Sequence, residues 1–598
     1  MNIMTKQEKF TNKEISHLLR SVSAAYLIKN GNRFKRIAYD NAAEAIEKLT
    51  REIKDIWQEG KLDQIEGIGK GISYYLDDYL KKGKSKHFQE VFIGIPESVF
   101  ELMKLQSVGP KKAFALTTKL KIYKKDTAVE RLKKAIKLGK IATLEGFGEK
   151  SQKSILESIK LYKKKSLQSY RMPLPYAYQQ AIQIIEYLEK MNKVEKVELL
   201  GSLRRMFPTI GDIDIAIQTK DEFRDEIIKH FLNYPYKISI EVAGENKASI
   251  ILSSGSKVDI RLQSKNTWGA LLQYFTGSKA HNIKLREFAQ KKNLSISEYG
   301  IKEVINNRKG VNHTFVDEKS FYNFLELQYI PPEIREGTTE ISLAKKNLIP
   351  KLVDLKDIKG DFHIHSNYQI RSSHDYGTAS YSEIADRAIQ LNYSYIGFSD
   401  HNPKVTGHNK QETIEILKNR KVEIERQMKS KDLKYYIGLE VDILTDGRLA
   451  VPDGAFDYLD YMIISIHSAF HMSQNDMTAR VLKGLNNKKV KILAHPTGRL
   501  IGKRDGYELH WHQIFDYCKN NDIAIEINAW PERLDLPDNL VRQAIQHKVK
   551  LIINTDSHDN SHLDNMFYGV SVARRGWAEK TDIINTYNYK DIDKWIRR

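Results

Sequence analysis

Two rhythms of apolar and polar residues run along this chain, and the rhythm changes at two proline-marked points. Residues 1 to about 165 repeat apolar positions at helical spacing, with glycine rather than β-branched runs at the turns, which predicts an all-helical region. Tyr170-Arg-Met-Pro-Leu-Pro-Tyr176 ends it, and helices and strands then mix to about residue 335. Strands are expected near 197–200, 212–217, 238–242, 248–252 and 257–262. Pro331-Pro332-Glu333-Ile334-Arg335 opens a second connector that runs to about 358. From Asp361 on, apolar runs such as Tyr395–Phe398, Tyr461–Ile464, Ile492–Ala494 and Leu551–Ile553 alternate with helical stretches. Such βα alternation over roughly 240 residues is the size of an α/β barrel.

Inside the helical region one short pattern occurs three times. It reads Leu62-Asp-Gln-Ile-Glu-Gly67-Ile-Gly69-Lys70-Gly, Leu105-Gln-Ser-Val-Gly109-Pro-Lys111-Lys and Leu144-Glu-Gly146-Phe-Gly148-Glu-Lys150. Each is an apolar residue, a tight glycine turn and a helix with lysine near its start, the pattern of a helix-hairpin-helix. Backbone N–H groups at such a turn can bind a nucleic-acid phosphate without reading bases. One such turn is more often a plain helix connection; three in one basic region point to nucleic acid.

The mixed region carries paired carboxylates. Gly201-Ser202-Leu203-Arg204-Arg205 is followed by Gly211-Asp212-Ile213-Asp214-Ile215. Strand alternation puts Asp212 and Asp214 on one face. Like charges that close call for a cation between them, and divalent ions that also bridge phosphates answer that need. The bland reading is a strand end with two solvated aspartates, but alternation with Ile213, Ile215 and Ile217 makes the strand at least half buried. Lys257-Val-Asp259-Ile-Arg261 supplies a third carboxylate. Three aspartates would hold two ions, one lowering the pKa of an attacking 3′-hydroxyl and one clamping a triphosphate. Tyr274-Phe275-Thr276-Gly277-Ser278-Lys-Ala-His281-Asn282 and Arg286 follow. They could wall a sugar and base, although alone they read better as an aromatic helix end.

At 598 residues roughly three to five domains are expected. A formal net charge of +20 with 96 Lys+Arg suits a polyanionic partner, against the plainer reading of a lysine-rich proteome. The single cysteine, Cys518, excludes a disulfide framework and a cysteine metal cage. With no apolar run of transmembrane length, a soluble cytoplasmic protein is expected.

The C-terminal region sets ligand types at successive strand ends: Asp361-Phe-His363-Ile-His365, Ser399-Asp400-His401, Gly438-Leu-Glu440-Val-Asp442, Ser465-Ile-His467, Ala494-His495-Pro-Thr-Gly-Arg499 and Thr555-Asp556-Ser-His558. His363 and His365, spaced i, i+2, face the same way on a strand. Barrel enzymes place their chemistry at that rim. Imidazole with carboxylate suits zinc, manganese or iron. One histidine after a strand is usually structural; six such elements in order argue for a metal centre. Arg499 could hold a substrate phosphate.

The order G-S-x-R-R, G-D-x-D, V-D-x-R and Y-F-T-G-S-x-x-x-N, with the hairpins, resembles family X DNA polymerases over residues 1–335. The resemblance implies Asp212, Asp214 and Asp259 as a catalytic metal triad, Asp259 nearest the primer end. It implies Gly201, Ser202 and Arg205 at the triphosphate and Tyr274, Phe275 and Gly277 at the sugar. Asn282 and Arg286 then contact the base and the template minor groove, and Gly67, Gly69, Lys70, Gly109, Lys111, Gly146, Gly148 and Lys150 bind DNA. One departure concerns the 5′-deoxyribose phosphate lyase of some relatives: its Schiff-base lysine falls at Tyr75 and a phosphate-contacting lysine at Gly71, although Lys70 or Lys29 could still meet a 5′-phosphate.

Residues 358 to about 580 resemble the PHP (polymerase and histidinol phosphatase) domain. That implies up to three ions held by His363, His365, His401, Glu440, His467, His495, Asp556 and His558, with Glu440 bridging. The ninth ligand is Asp375, with His374 as the alternative. The expected fold is multidomain α/β. It comprises an N-terminal all-α region (1–90 and 91–170), an α+β nucleotidyltransferase palm (171–262), a thumb (263–335), a linker (336–358) and a PHP-type distorted (β/α) barrel (359–598). The expected function is gap-filling DNA polymerase in repair with a 3′→5′ exonuclease, extending to abasic-site endonuclease or 3′-phosphatase activity. Mg²⁺ or Mn²⁺ would serve the first site and Mn²⁺ or Zn²⁺ the second; gapped or primer-template DNA and dNTPs are the partners, and a monomer is expected. The rivals are a DNA-end scaffold and a small-molecule phosphoesterase.

Overall fold

The computed structural model describes residues 10, 12–48, 53–65, 67–105, 108–166, 171–252, 254–305 and 308–598. The region before residue 167 is helical, as its periodicity predicts. Helices Asn12–Ile28, Arg33–Lys48, Lys70–Lys82 and Lys86–Phe92 close on Leu19, Val22, Ala43 and Leu76. Glu97–Leu102, Pro110–Lys119, Ala128–Lys137 and Glu149–Ser166 close on Val99, Leu102, Leu116 and Leu132. The three repeats share one hydrogen-bond pattern. Ile68, Val108 and Phe147 each donate a backbone N–H to Ile65, Leu105 and Leu144, all at 2.9 Å. The following glycines, Gly69, Gly109 and Gly148, then accept from Ser73, Ala113 and Gln152 at 3.0, 2.9 and 3.0 Å. Gly67, Gly69, Gly109, Gly146 and Gly148 are exposed, as are Lys70 and Lys111; the Lys150 side chain and Tyr170 lie outside the described residues. Tyr75 is stacked face to face on His87, with ring centroids 3.9 Å apart.

A five-stranded sheet follows, in the order 196–199, 213–218, 257–263, 247–252, 237–243. All neighbours are antiparallel except the central pair, Ile213–Gln218 and Lys257–Gln263. One face is apolar: Ile213, Ile215, Ile217, Val258 and Ile260 pack on Ile184, Leu188, Ile227 and Phe231 of helices Leu174–Glu189 and Arg224–Leu232. Alternation therefore turns Asp214 and Asp259 to the opposite face. Helices Trp268–Thr276 and Lys279–Gln290 and a three-stranded antiparallel sheet over 294–313 pack beside that face.

The C-terminal region is a parallel sheet of seven strands in sequential order, from Gly360–Asp361 to Leu551–Asn554. A bridge between Ile364 and Ser557 brings its ends together, so the barrel is nearly closed. Tyr461 and Phe362 fill its lower interior. A Cβ on Gly397 or Gly438 would lie 2.2 Å from the Tyr461 side chain, so these strands admit only glycine there. Helix Tyr589–Arg597 plugs that end with Ile592, Trp595 and Ile596. Asp400, two residues past its strand, is consumed structurally: it accepts from Arg420 Nε at 2.7 Å, Tyr381 Oη at 2.7 Å and Ser366 N at 2.6 Å.

The barrel is anchored to the rest of the chain. Arg574 pairs with Glu333 at 2.7 Å and donates to the Val353 carbonyl at 2.9 Å. Tyr178 packs on Phe567 with ring centroids 5.2 Å apart. Among the described residues no helix is long and apolar enough to cross a membrane.

Candidate active sites

The first site forms where the two central strands of the mixed sheet begin. Asp214 and Asp259 are direct register partners in the parallel pair. Asp212 lies one residue before its strand, exposed, and its charge still acts on Asp214. Burial and then the neighbouring Asp259 push the Asp214 carboxyl up to about 7. Asp259 stays below the usual carboxylate range: burial would raise it, but Lys257, Lys247 and the Ser249 hydroxyl outweigh that. Lys257 Nζ stands 3.3 Å from Asp259 Oδ2, and Ser249 Oγ donates to Asp259 Oδ1. A buried carboxyl pair in which one member resists ionisation suits a divalent cation.

The Gly-Ser turn packs directly on this pair. Leu200 N donates to the Asp214 carbonyl at 2.8 Å. Gly201 has φ +58°, and a Cβ on it would meet Asp214 Oδ2 at 2.6 Å, so only glycine allows the approach. Ser202 is the second residue of the short helix Gly201–Arg204. Arg204 joins Thr276 Oγ1 at 2.7 Å and Glu318 at 2.6 Å. Arg205 donates to the Thr276 carbonyl and lies 3.4 Å from Glu336. The arginine pair thus ties the turn to the Tyr274–Ser278 segment; a Cβ on Gly277 would stand 3.2 Å from Arg205 Nη1. Phe275 is covered by the Arg261 guanidinium, 3.8 Å from its ring centroid. Asn282 donates to the Tyr274 carbonyl at 2.7 Å, and Arg286 donates to the Asn282 carbonyl at 3.4 Å, so both shape this segment from behind. His281 is fully buried between Glu340 (2.7 Å) and Tyr322 Oη (3.0 Å) and is structural.

The second site lies at the C-terminal rim of the barrel. Spacing predicts His363 and His365 on a strand; the strand ends at Asp361, yet both rings still reach one centre. Side chains and one loop replace the ladder there: Asn554 Oδ1, Ser399 Oγ and the Ser557 carbonyl accept from the N–H groups of Phe362, Ile364 and His365 at 3.0, 2.9 and 2.8 Å. Four sets of ligand atoms lie within 4.8 Å of one another: His363, His365, Glu440 and Asp556; Glu440, His467 and His495; His365, His401 and His558; and His374, His401 and His467. Glu440 joins the first two, with His363 Nε2 3.1 Å from Oε2 and His495 Nε2 3.0 Å from Oε1. Asp375 is exposed but stands 3.5 Å from His401 and 3.6 Å from His558, while His374 lies 3.1 Å from Asp442.

Neighbouring acceptors fix the tautomers. His363 Nδ1 donates to Glu526 at 2.8 Å, His467 Nδ1 to Asp442 at 2.7 Å and His558 Nδ1 to the Asp556 carbonyl at 3.0 Å. Each leaves an Nε2 lone pair for the centre. Among the described residues, His363 Nε2, His365 Nε2, His401 Nδ1, His558 Nε2 and Glu440 Oε2 are buried and make no well-aligned hydrogen bond, although His363 Nε2 and His401 Nδ1 crowd Glu440 Oε2 at 3.1 and 3.0 Å. Orphaned donors and acceptors are costly unless something binds them, and these atom types fit divalent ions. Arg499 turns away from the centre: its guanidinium donates to the carbonyls of Arg533 and Leu534. Arg533 takes the facing position, 3.6 Å from Asp556.

Sequence reasoning passes over Glu526, Asn528 and Asn554, and it marks Asp442 among the ligand types without giving it the role of holding His467. Asn528 and Asn554 donate to Glu526 at 3.0 Å each. Their signal is present: Glu526 and Asn528 alternate with Ile525 and Ile527, as Asp212 and Asp214 alternate with isoleucines.

Residues 10–85 match the helix-hairpin-helix domain family, 271–336 the DNA polymerase beta thumb family and 361–529 the PHP domain family. The chain belongs to the family X DNA polymerases that carry a PHP domain. It is 35% identical over 589 residues to the DNA polymerase/3'-5' exonuclease PolX of Bacillus subtilis (strain 168), covering 98% of this chain and 99% of that relative. Hairpins and a polymerase thumb imply DNA binding, and both centres imply divalent metals.

Proposed function

We infer that the protein fills short gaps in DNA from dNTPs and trims DNA 3′ ends at a separate centre on the same chain. The observation that carries this is the register pairing of Asp214 with Asp259 beneath a glycine turn, in a chain whose barrel rim gathers a second, histidine-rich ligand set. Asp212, Asp214 and Asp259 would hold two Mg²⁺ or Mn²⁺ ions, which neutralise the carboxylates and lower the pKa of the primer 3′-hydroxyl. Gly201, Ser202 and Arg205 meet the triphosphate. Tyr274, Phe275 and Gly277 wall the sugar, with Asn282 and Arg286 supporting them. Asp259 stays ionised next to the primer end because Lys257 and Ser249 hold it so. Residues 1–90 and 91–170 grip DNA on both sides of the gap, 171–262 serve as palm and 263–335 as thumb.

At the barrel, within 359–598, His363, His365, Asp375, His401, Glu440, His467, His495, Asp556 and His558 would hold up to three Mn²⁺ or Zn²⁺ ions. Glu526 and Asp442 orient His363 and His467, and Arg533 is placed to meet the scissile phosphate. A monomer is the proposed working form, supported by one chain bringing residues of both ligand sets together. The test is one 5′-labelled gapped duplex with Mn²⁺: extension with dNTPs and stepwise 3′ shortening without them are expected. Rapid hydrolysis of histidinol phosphate with neither DNA reaction would sink the reading.

A further inference from the structure

The barrel reaches into the polymerase site through one buried arginine. Arg575, in helix Met566–Arg575, has a side chain only 2% exposed. It donates to the Arg205 carbonyl at 2.9 Å and to Glu336 Oε1 at 3.0 Å, and pairs with Asp538 at 2.7 Å. Its guanidinium also covers the Phe207 ring at 4.8 Å. Arg205 approaches the same Glu336 oxygen at 3.4 Å. Two arginines from two parts of the chain thus share one carboxylate, and the barrel's arginine is the closer.

That geometry has an electrostatic consequence. Alone, Glu336 would neutralise Arg205 and hold it away from an incoming polyanion. With Arg575 in place, Glu336 is already paired, and the Arg205 main chain is fixed at the end of the Gly-Ser turn. We propose that Arg575 is a positioning residue for the polymerase: the barrel, through Arg575, takes the closer hold on Glu336 and leaves the Arg205 guanidinium, anchored on the Thr276 carbonyl, less neutralised towards the nucleotide triphosphate. This rests on the reading of Arg205 as a triphosphate contact.

The test compares full-length wild type with Arg205→Ala, Arg575→Ala, Arg575→Lys, Glu336→Gln and the Arg575→Ala/Glu336→Gln double variant. Single-nucleotide gap filling gives KM for dNTP and kcat, and 3′ shortening is followed on the same preparations. Arg575→Ala should raise KM about tenfold, within the range usual for coupling between groups, and leave kcat and 3′ shortening near wild type. Arg575→Lys should lie between, and removing the Glu336 charge in the double variant should restore KM. An unchanged KM in Arg575→Ala overturns the proposal. So does a raised KM that Glu336→Gln fails to restore, or loss of both activities that it fails to restore, since either marks a brace without electrostatic effect. If Arg205→Ala leaves KM unchanged, the underlying reading of Arg205 falls instead.

Discussion

The proposed polymerase centre rests on three aspartates at the start of two central strands, whereas the proposed barrel centre rests on six imidazoles and three carboxylates on a nearly closed rim. The first is open: Asp212 is exposed, and the charge balance there is left to Lys257, Lys247 and whatever binds. The second is enclosed, with His363 0%, His365 2%, His495 1% and Glu440 1% exposed. It is also buttressed by Glu526, Asn528, Asn554 and Asp442. Oxygen-only ligands with an open side suit ions that arrive and leave with a triphosphate. Buried imidazoles with fixed tautomers suit ions that stay. On the proposed reading, one chain would carry a transient metal site and a resident one.

The sharpest way to break that comparison is to remove one ligand from each. Asp259→Ala should lower extension by about 10³-fold or more and leave 3′ shortening intact; His363→Ala should do the reverse. Both are read on the same gapped duplex, and loss of both reactions in either variant would end the two-centre assignment. Next in size is Glu526→Ala. It removes the acceptor of His363 Nδ1–H and of the His495 N–H at 2.7 Å. Barrel metal affinity should fall about 10–100-fold, measured by elemental analysis after graded chelation, with gap filling unchanged. Retention of the full metal load would show that the ring of acceptors is not what makes this site resident.

Much of this contrast is legible in the amino-acid sequence. Isoleucine alternation marks Asp212, Asp214 and Asp259, and apolar runs ending in histidine or acid mark the barrel rim. What stays hidden depends on contacts between distant segments. Arg499 reads as available because its own neighbours say nothing of the carbonyls at 533 and 534 that bind it. Arg533, on the next βα loop, has no motif to mark it. Spacing does not separate Asp375 from His374, because the loop folds so that one faces His401 and His558 and the other Asp442 and His467. Arg575 joins the polymerase only through the packing of two regions more than three hundred residues apart in sequence.

A smaller effect tests the openness of the polymerase centre. Asp214 has its carboxyl pushed from 3.8 to about 7 by burial and Asp259, so the folded chain keeps a proton that the unfolded chain loses. Between pH about 4 and 7, stability of the metal-free protein should therefore fall as pH rises, and the full cost is present above 7. Asp214→Asn should stabilise the metal-free protein at pH 8 by about 2 kcal/mol, below what the whole shift implies because the carboxylate keeps some contact with water. The gain should shrink towards pH 4 and vanish when Mn²⁺ is added to both proteins. Denaturant melts at three pH values would show it; a gain independent of pH and metal would mean that Asp214 is not held as a strained, metal-awaiting carboxyl.

The smallest expected effect concerns what the two centres share. Lys70 is exposed at the first turn of helix Lys70–Lys82, beside the exposed Gly67 and Gly69 of the first hairpin. One lost phosphate contact lowers the salt dependence of DNA binding by about one unit of slope and weakens binding alike for every sequence. If both centres act on DNA held by the same hairpins, Lys70→Gln should slow extension and 3′ shortening by the same few-fold factor at limiting DNA and leave both unchanged at saturation. Unequal slowing would mean that the resident-metal centre takes its DNA by another route, and the contrast between the centres would then extend from how they hold metal to how they receive substrate.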